Sequence, residues 1–245
     1  MEIHAHTHTP RKKWTHYFWE FLMLFLAVFC GFFAENQREH FIEHKREKQF
    51  ILSLINDLKL DTVGLESKIS RKKTKMLTID SVLFPLTKLE NDKLPVAICA
   101  TLSRVTLDFF FFSNDGTIQQ LKGSGGLRLV RNREAVDSIE AYHNRIKRFM
   151  LRQEAGVTRG IEFENLWKKF VNGKDYFENM FDSTYGLRPH NPDNVVKIDR
   201  QHLNELINAL IYMRNFDKYD ITLIGEVKKK AVNMIGLLRN RYHLK

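Results

Sequence analysis

The sequence predicts an all-α chain: one N-terminal transmembrane helix continuing into a stalk, followed by an antiparallel helical bundle. Three observations carry this. Residues 17–34 form an apolar run interrupted by Glu20 alone. From Phe50 onward, apolar side chains recur at three- and four-residue steps, the spacing of one helix face. Alternating strand patterns are almost absent.

Residues 1–16 read as a tail. His4, His6 and His8 alternate there as H-x-H-x-H, and imidazoles are common metal ligands. No Cys or carboxylate cluster accompanies them and Pro10 follows, so an unstructured tail is expected rather than a metal site.

Residues 17–34 are the expected transmembrane helix. Eighteen residues at about 1.5 Å each extend roughly 27 Å, close to the hydrocarbon thickness of a bilayer. Trp14, Tyr17 and Trp19 sit at one end, where amphipathic rings favour the headgroup level. A buried core helix would not present Leu, Phe and Val on all faces. A cleaved signal peptide needs small residues one and three positions before the cut. Ala34 has Phe32 two positions before it, and Gly31 has Phe29, so an uncleaved anchor is expected. Glu20 lies in the first turn or so of the span, where interfacial water reaches it; pairing or self-association is its alternative role. Cys30 suits a lipid-facing position as a small apolar residue.

Residues 35–49 read as a charged helical stalk. Glu35, Glu39, Glu43 and Glu47 form one stripe at i, i+4 spacing, and His40, His44 and Lys48 form its neighbour. The stalk also contains H-x-x-E-H at His40, Glu43 and His44. On a helix this puts two imidazoles beside a carboxylate, the arrangement of inverted zinc peptidases. A membrane-anchored zinc hydrolase using residues 40–44 is therefore an alternative function. It needs a third ligand and a cleft, and no downstream motif nominates either.

Residues 50–245 read as a helical bundle domain. Ile51, Leu54, Leu58, Leu65, Met76, Ile79, Leu83 and Leu86 follow the helical spacing, with Asp61, Lys68 and Lys72 interrupting it. That describes an amphipathic helix, or a coiled coil with charged breaks. Gly64 and the basic cluster at 71–75 suggest a bend, and Pro85 and Pro95 bracket a connection. A short helix is expected between Val96 and Arg104. The four consecutive aromatics Phe109, Phe110, Phe111 and Phe112 should be buried, or shielded by lipid or a partner. Asn114 or Asp115 is placed to cap a helix through Leu121 that Gly123 ends. The GSGG at residues 123–126 resembles a phosphate cradle, but no Lys-Ser/Thr pair follows and no strand precedes it, so a tight turn is the better reading.

Asn132 should cap a further helix, with Glu134 and Asp137 in its first turns, ending near Ala155 where Gly156 and Gly160 break it. One or two shorter helices should follow, interrupted near Gly173, with Phe163, Trp167, Phe170 and Tyr176 in their packing set. Residues 182–194 read as a loop. Asp199 caps a helix carrying Leu203, Leu206 and Leu210, and the final segment, with Ile224, Val227, Ala231, Met234 and Leu238, is helical nearly to its end.

Composition bounds the function without naming it. The formal net charge is +10, but the basic residues are scattered in small clusters and no nucleic-acid motif accompanies them. They are expected to be solvated or to face anionic lipid headgroups. Cys30 and Cys99 are the two cysteines, and with one in the span no disulfide forms within the domain.

Two stretches, WEFLMLFLAVFCGFFAENQREHFIEHKREKQFILSLINDLKLD and IQQLKGSGGLRLVRNREAVDSIEAY, together resemble an uncharacterised family of bacterial single-span membrane proteins, grouped as a domain of unknown function. Glu20, Asn36 and residues 54–58 match its first pattern, and residues 121–130 its second. Trp19 stands where the family often has Gly. The resemblance implies an anchored helical domain outside the cytoplasm and carries no catalytic residues.

Arg11, Lys12 and Lys13 before the span nearly balance Arg38, Lys45, Arg46 and Lys48 after it. The tighter packing of the first set favours a cytoplasmic N-terminus, with the C-terminal domain periplasmic and the span in the bacterial inner membrane. The expected function is that of an interaction or sensing module, not an enzyme. Expected partners are the lipid bilayer and a protein partner or a second copy, with no nucleic acid. No catalytic, cofactor-binding or metal-binding residues are assigned. A membrane-tethered nucleic-acid or anionic-lipid binder is the remaining alternative.

Overall fold

The computed structural model describes residues 14–106, 108–182, 186–187 and 194–244. The chain divides into two compact units, residues 1–50 and 51–245. Helix α1, Trp14–Thr87, contributes to both.

In the first unit α1 carries the apolar run. Phe21, Phe25, Phe29 and Phe33 stack successively, with ring centroids 6.3, 6.1 and 6.5 Å apart, as i, i+4 neighbours should. All four rings are exposed, as are Met23, Leu24 and Val28. Among the described residues this is the one helix long and apolar enough to cross a membrane.

The second unit is a bundle of three long helices: residues 51–87 of α1, α4 (Arg133–Phe170) and α6 (Leu203–Arg241). Their directions follow from side-chain pairs. Along α1, Glu66, Lys72 and Asp80 meet Lys228, Asp217 and Arg214, so α6 runs antiparallel to α1. Along α4, Glu134, Arg145 and Arg152 meet Arg241, Glu226 and Asp220, so α6 is antiparallel to α4 as well. The all-α bundle expected from the sequence is therefore present. Its strands are minimal: β1 (Lys93–Pro95) pairs antiparallel with β4 (Val195–Lys197), and β2 (Phe181–Asp182) with β3 (Gly186–Leu187). The last pair lies where a loop was expected; most of that loop is outside the described residues.

Short helices close the bundle. Helix α2 (Val96–Leu102), β1 and β4 bury Leu94, Cys99, Leu102 and Val196 against Ile79 and Leu86 of α1, Phe163 and Phe170 of α4, and Leu206 and Leu210 of α6. Burial pushes the Cys99 thiol up to about 12, so it behaves as an apolar core residue. Helix α5, Gly173–Met180, begins at the expected interruption. Asn132 caps α4, accepting from the Ala135 N–H at 2.9 Å, and Asp199 accepts from the Gln201 N–H at the turn that leads into α6.

Three glycines weighed in the sequence sit inside helices, and the break expected at Gly156 and Gly160 is corrected. Helix α1 is continuous through Gly64, where an added Cβ would lie 2.8 Å from the Phe111 ring. Gly64 admits that ring. Helix α4 continues through Gly156 and Gly160 to Phe170. Two glycines cost a helix roughly 1 kcal/mol each, which the buried contacts of Phe149 and Phe163 on either side outweigh. Of the four consecutive aromatics, Phe111 is buried and Phe109, Phe110 and Phe112 are exposed.

Helix α3, Gly116–Gly123, ends at the expected glycine, but Asp115 makes no side-chain cap. Its free N–H groups are met from α1 instead. Asp57 accepts from Thr117 N–H at 3.2 Å, and Asp61 accepts from the Asn114 N–H at 2.7 Å and the Asn114 side chain at 2.9 Å. Asp61, fully buried, also accepts from the Tyr142 hydroxyl at 2.6 Å, tying α4 to the same point. Burial, and then Asp61, raise the Tyr142 phenol far above its ordinary value, so it stays a donor. Tyr142→Phe removes one donor from a buried carboxylate and should cost about 2 kcal/mol. Thermal denaturation of the full chain in detergent should show Tm lowered by about 4–8 °C; an unchanged Tm would show that the bond contributes nothing.

Candidate functional site

Two of the residues that interrupt the apolar pattern of α1, Lys68 and Lys72, meet at mid-bundle. Lys68, Lys72 and Lys75 fall at i, i+4 and i+7, one face of the helix. Asp217 and Asp220 fall three apart on the facing side of α6. Lys72 is only 2% exposed, and its ammonium lies 2.5 Å from Asp217 and 3.0 Å from Asp220, themselves each 2% exposed. Lys75 approaches the second Asp217 oxygen at 3.5 Å. Arg152 of α4 reaches Asp220 at 2.5 Å and lies over the Phe216 and Tyr219 rings, 4.1 and 4.5 Å from their centroids. From the segment after α2, Asp108 pairs with Lys68 at 2.7 Å and approaches Lys72 at 3.6 Å. All three long helices and one loop thus meet in a single charge network.

Four cations face three carboxylates, so the network keeps an excess of one positive charge. Burial alone would depress the Lys72 pKa, but Asp217, Asp108 and Asp220 outweigh it and hold the ammonium above its ordinary range. For Lys68 burial wins over Asp108, aided by repulsion from Lys72 and Lys75, and its pKa falls. Burial would raise the Asp108 carboxyl, yet Lys72, Lys68 and Lys75 together pull it below the usual value.

A cavity of about 410 Å³ opens beside this network. One wall is α1, through Ser70, Arg71, Lys72, Thr74, Lys75 and Thr78; the other is the end of α2 and the turn beyond it, through Thr101, Arg104, Val105, Asp108 and Phe109. The loop wall is held by Phe111, whose N–H donates to the buried Gln153 side chain at 2.9 Å and whose carbonyl accepts from it at 3.0 Å. The arrangement can hold a small polar ligand.

Among the residues named in the sequence, Arg71 and Lys72 belong here, although Lys72 is buried and not part of a solvated face. His40, Glu43 and His44 are far less organised. They lie on α1 in the first unit, with His40 3.8 Å from Glu43 and His44 3.4 Å from Glu47. Among the described residues no group of three or more His, Cys, Asp or Glu side chains is arranged to hold a metal. His4, His6 and His8 lie outside the described residues. Glu20 meets His16 one turn earlier at 3.1 Å. The 123–126 glycines form a turn, with Gly125 at φ 66° ahead of a short 3-10 helix, Gly126–Leu129. Asp108, Arg152, Asp217 and Asp220 were not singled out by sequence reasoning. The available signal was two aspartates three apart inside a regular apolar pattern.

No family model, curated protein or solved structure matches the chain.

Lys72→Ala would leave Asp217 and Asp220 buried without their central cation, at a cost of about 3–5 kcal/mol. Asp80→Ala breaks a surface pair with Arg214 and should cost under about 1 kcal/mol. Denaturation of the two variants tests this ranking; equal effects would overturn it. The pH dependence follows from Asp108. Its contribution is present above the ordinary carboxyl value of 3.8 and is lost as pH falls through its lower folded value. Below about pH 4 the wild type should therefore lose stability more steeply with falling pH than Asp108→Asn does. Parallel acid titrations of Tm would disprove this assignment.

Proposed function

We propose that this chain is a single-pass membrane-anchored helical protein that works as an interaction or sensing module rather than as an enzyme. The observation that carries the reading is the apolar run of α1. Phe21, Met23 and Leu24 occupy different sides of the helix, and each is more than half exposed. In water that surface would be strongly unfavourable; in a bilayer it is the expected lining. The resemblance of the span and stalk to bacterial single-span proteins supports the same reading.

The anchor sits in the inner membrane of a bacterium, with the N-terminus cytoplasmic and residues 51–245 periplasmic. Its partners are the bilayer itself and either another protein or a second copy of this chain. Binding by the domain is supported by its cavity, which lies against a rigid charge network. The basic residues fall in small clusters along the sequence, with no nucleic-acid motif beside them.

Full-length protein expressed in a bacterium should remain in the membrane pellet after alkaline carbonate extraction. An alkaline phosphatase fused after Lys245 should be active. Release by carbonate would overturn the anchor, and an inactive phosphatase in a stably expressed fusion would reverse the orientation.

A further inference from the structure

We propose that the cavity between α1 and the turn after α2 binds a phosphate monoester dianion. The proposal deepens the reading of the domain as a binding module, rests on it, and names the class of ligand.

The argument is a charge balance taken residue by residue. Lys72 is engaged by Asp217 and Asp220, and Asp108 by Lys68 and Lys72. Lys75 leans toward Asp217 at 3.5 Å. Arg71 and Arg104 remain. Both line the cavity, both are exposed, and neither has a carboxylate partner among the described residues. The Arg71 guanidinium is steadied against the Phe109 ring, 4.2 Å from its centroid. Two unpaired guanidiniums offer two positive charges and planar forks of N–H donors, the geometry that matches phosphate oxygens. A phosphate monoester carries about −1.5 to −2 at pH 7; a carboxylate carries half of that or little more and would leave one guanidinium uncompensated.

The hydroxyls sort themselves by their hydrogen bonds. Thr74, Thr78 and Thr101 donate to carbonyls one turn back, at 3.2, 3.0 and 2.8 Å. Ser70 has no hydroxyl partner among the described residues and is the neutral donor available to a ligand. Val105 and the Phe109 ring supply an apolar side for the organic part of the ester. The volume, about 410 Å³, lies within the roughly 300–1,000 Å³ range of small-molecule sites. It suits a soluble phosphorylated metabolite or the headgroup of phosphatidic acid, both of which are phosphate monoesters.

The test is calorimetric titration of the full chain in a nonionic detergent with two probes: glycerol 3-phosphate, and a short-chain phosphatidic acid carried in the same micelles. Saturable binding of either supports the proposal, and the probe that binds tells whether the source is soluble or lipid. The double variant Arg71→Gln/Arg104→Gln should bind at least about tenfold more weakly. A control with the same charge change at distant exposed sites, Lys59→Gln/Lys147→Gln, should stay within about twofold of wild type. Ser70→Asp, which puts a carboxylate into the cavity, should abolish binding and provides an independent variant. Absence of saturable binding of both probes, or equal weakening in the double variant and the control, would overturn the proposal. Failure of the anchor itself shows in carbonate extraction and not in these titrations.

Discussion

The fold of residues 51–245 depends on keeping one lysine out of water. An ammonium withdrawn from solvent costs several kcal/mol, recovered only if carboxylates meet it at close range. Lys72 is met by Asp217 and Asp220 from α6, so α1 and α6 are held in one axial register. A slide of one helical turn, about 5.4 Å, would part Lys72 from both aspartates. Apolar packing alone penalises such a slide far less, because Leu and Ile at three- and four-residue steps find equivalent grooves one turn away. Arg152 extends the constraint to α4 through Asp220, and its guanidinium covers the Phe216 ring on which Arg159 also lies.

The same economy of polar groups positions the segment between α2 and α3. Its backbone crosses the bundle surface without regular structure, and each buried donor or acceptor there needs a partner. Gln153 satisfies both backbone groups of Phe111, and Asp57 and Asp61 take the N–H groups ahead of α3. Phe111 then fits the space that Gly64 leaves open on α1 and packs against Phe149, 6.0 Å between ring centroids. This explains why four identical residues in a row have different fates. One ring is anchored by its backbone and by a matched glycine, and its neighbours are left facing outward.

Helix existence was legible because it is written in spacing. The caps at Asn132 and Asp199, the break near Gly173 and the end of α3 at Gly123 follow from local chemistry, and local chemistry is readable one segment at a time. The roles of Gly64 and Gly156 were not, because a glycine that bends or breaks a helix and one that lies against a neighbouring ring look alike until the neighbour is known. At Gly156 the neighbour is Phe216, which an added Cβ would meet at 3.4 Å. Lys72 was misread as part of a solvated cluster for a related reason. Arg71, Lys72 and Lys73 are adjacent in sequence but about 100° apart around the helix, so they face different surroundings. Only the middle one points at Asp217.

Net charge is therefore a poor guide to where this domain presents positive potential. The 39 Lys and Arg residues are spread along the whole chain, and many of their charges are neutralised locally by pairs such as Lys228 with Glu66 and Arg241 with Glu134. What distinguishes the cavity is that the nearby carboxylates are already committed. Burial of Lys72 claims Asp217 and Asp220, and burial of Lys68 claims Asp108, so the adjacent guanidiniums of Arg71 and Arg104 have nothing left to pair with. The positive character of the cavity follows from the demand that stabilises the core beside it. A mutation that relieved the core of its charges, replacing Lys72 and its aspartates with apolar side chains, would alter the field in the cavity without touching Arg71 or Arg104, because interactions at this range and partial burial are only weakly screened.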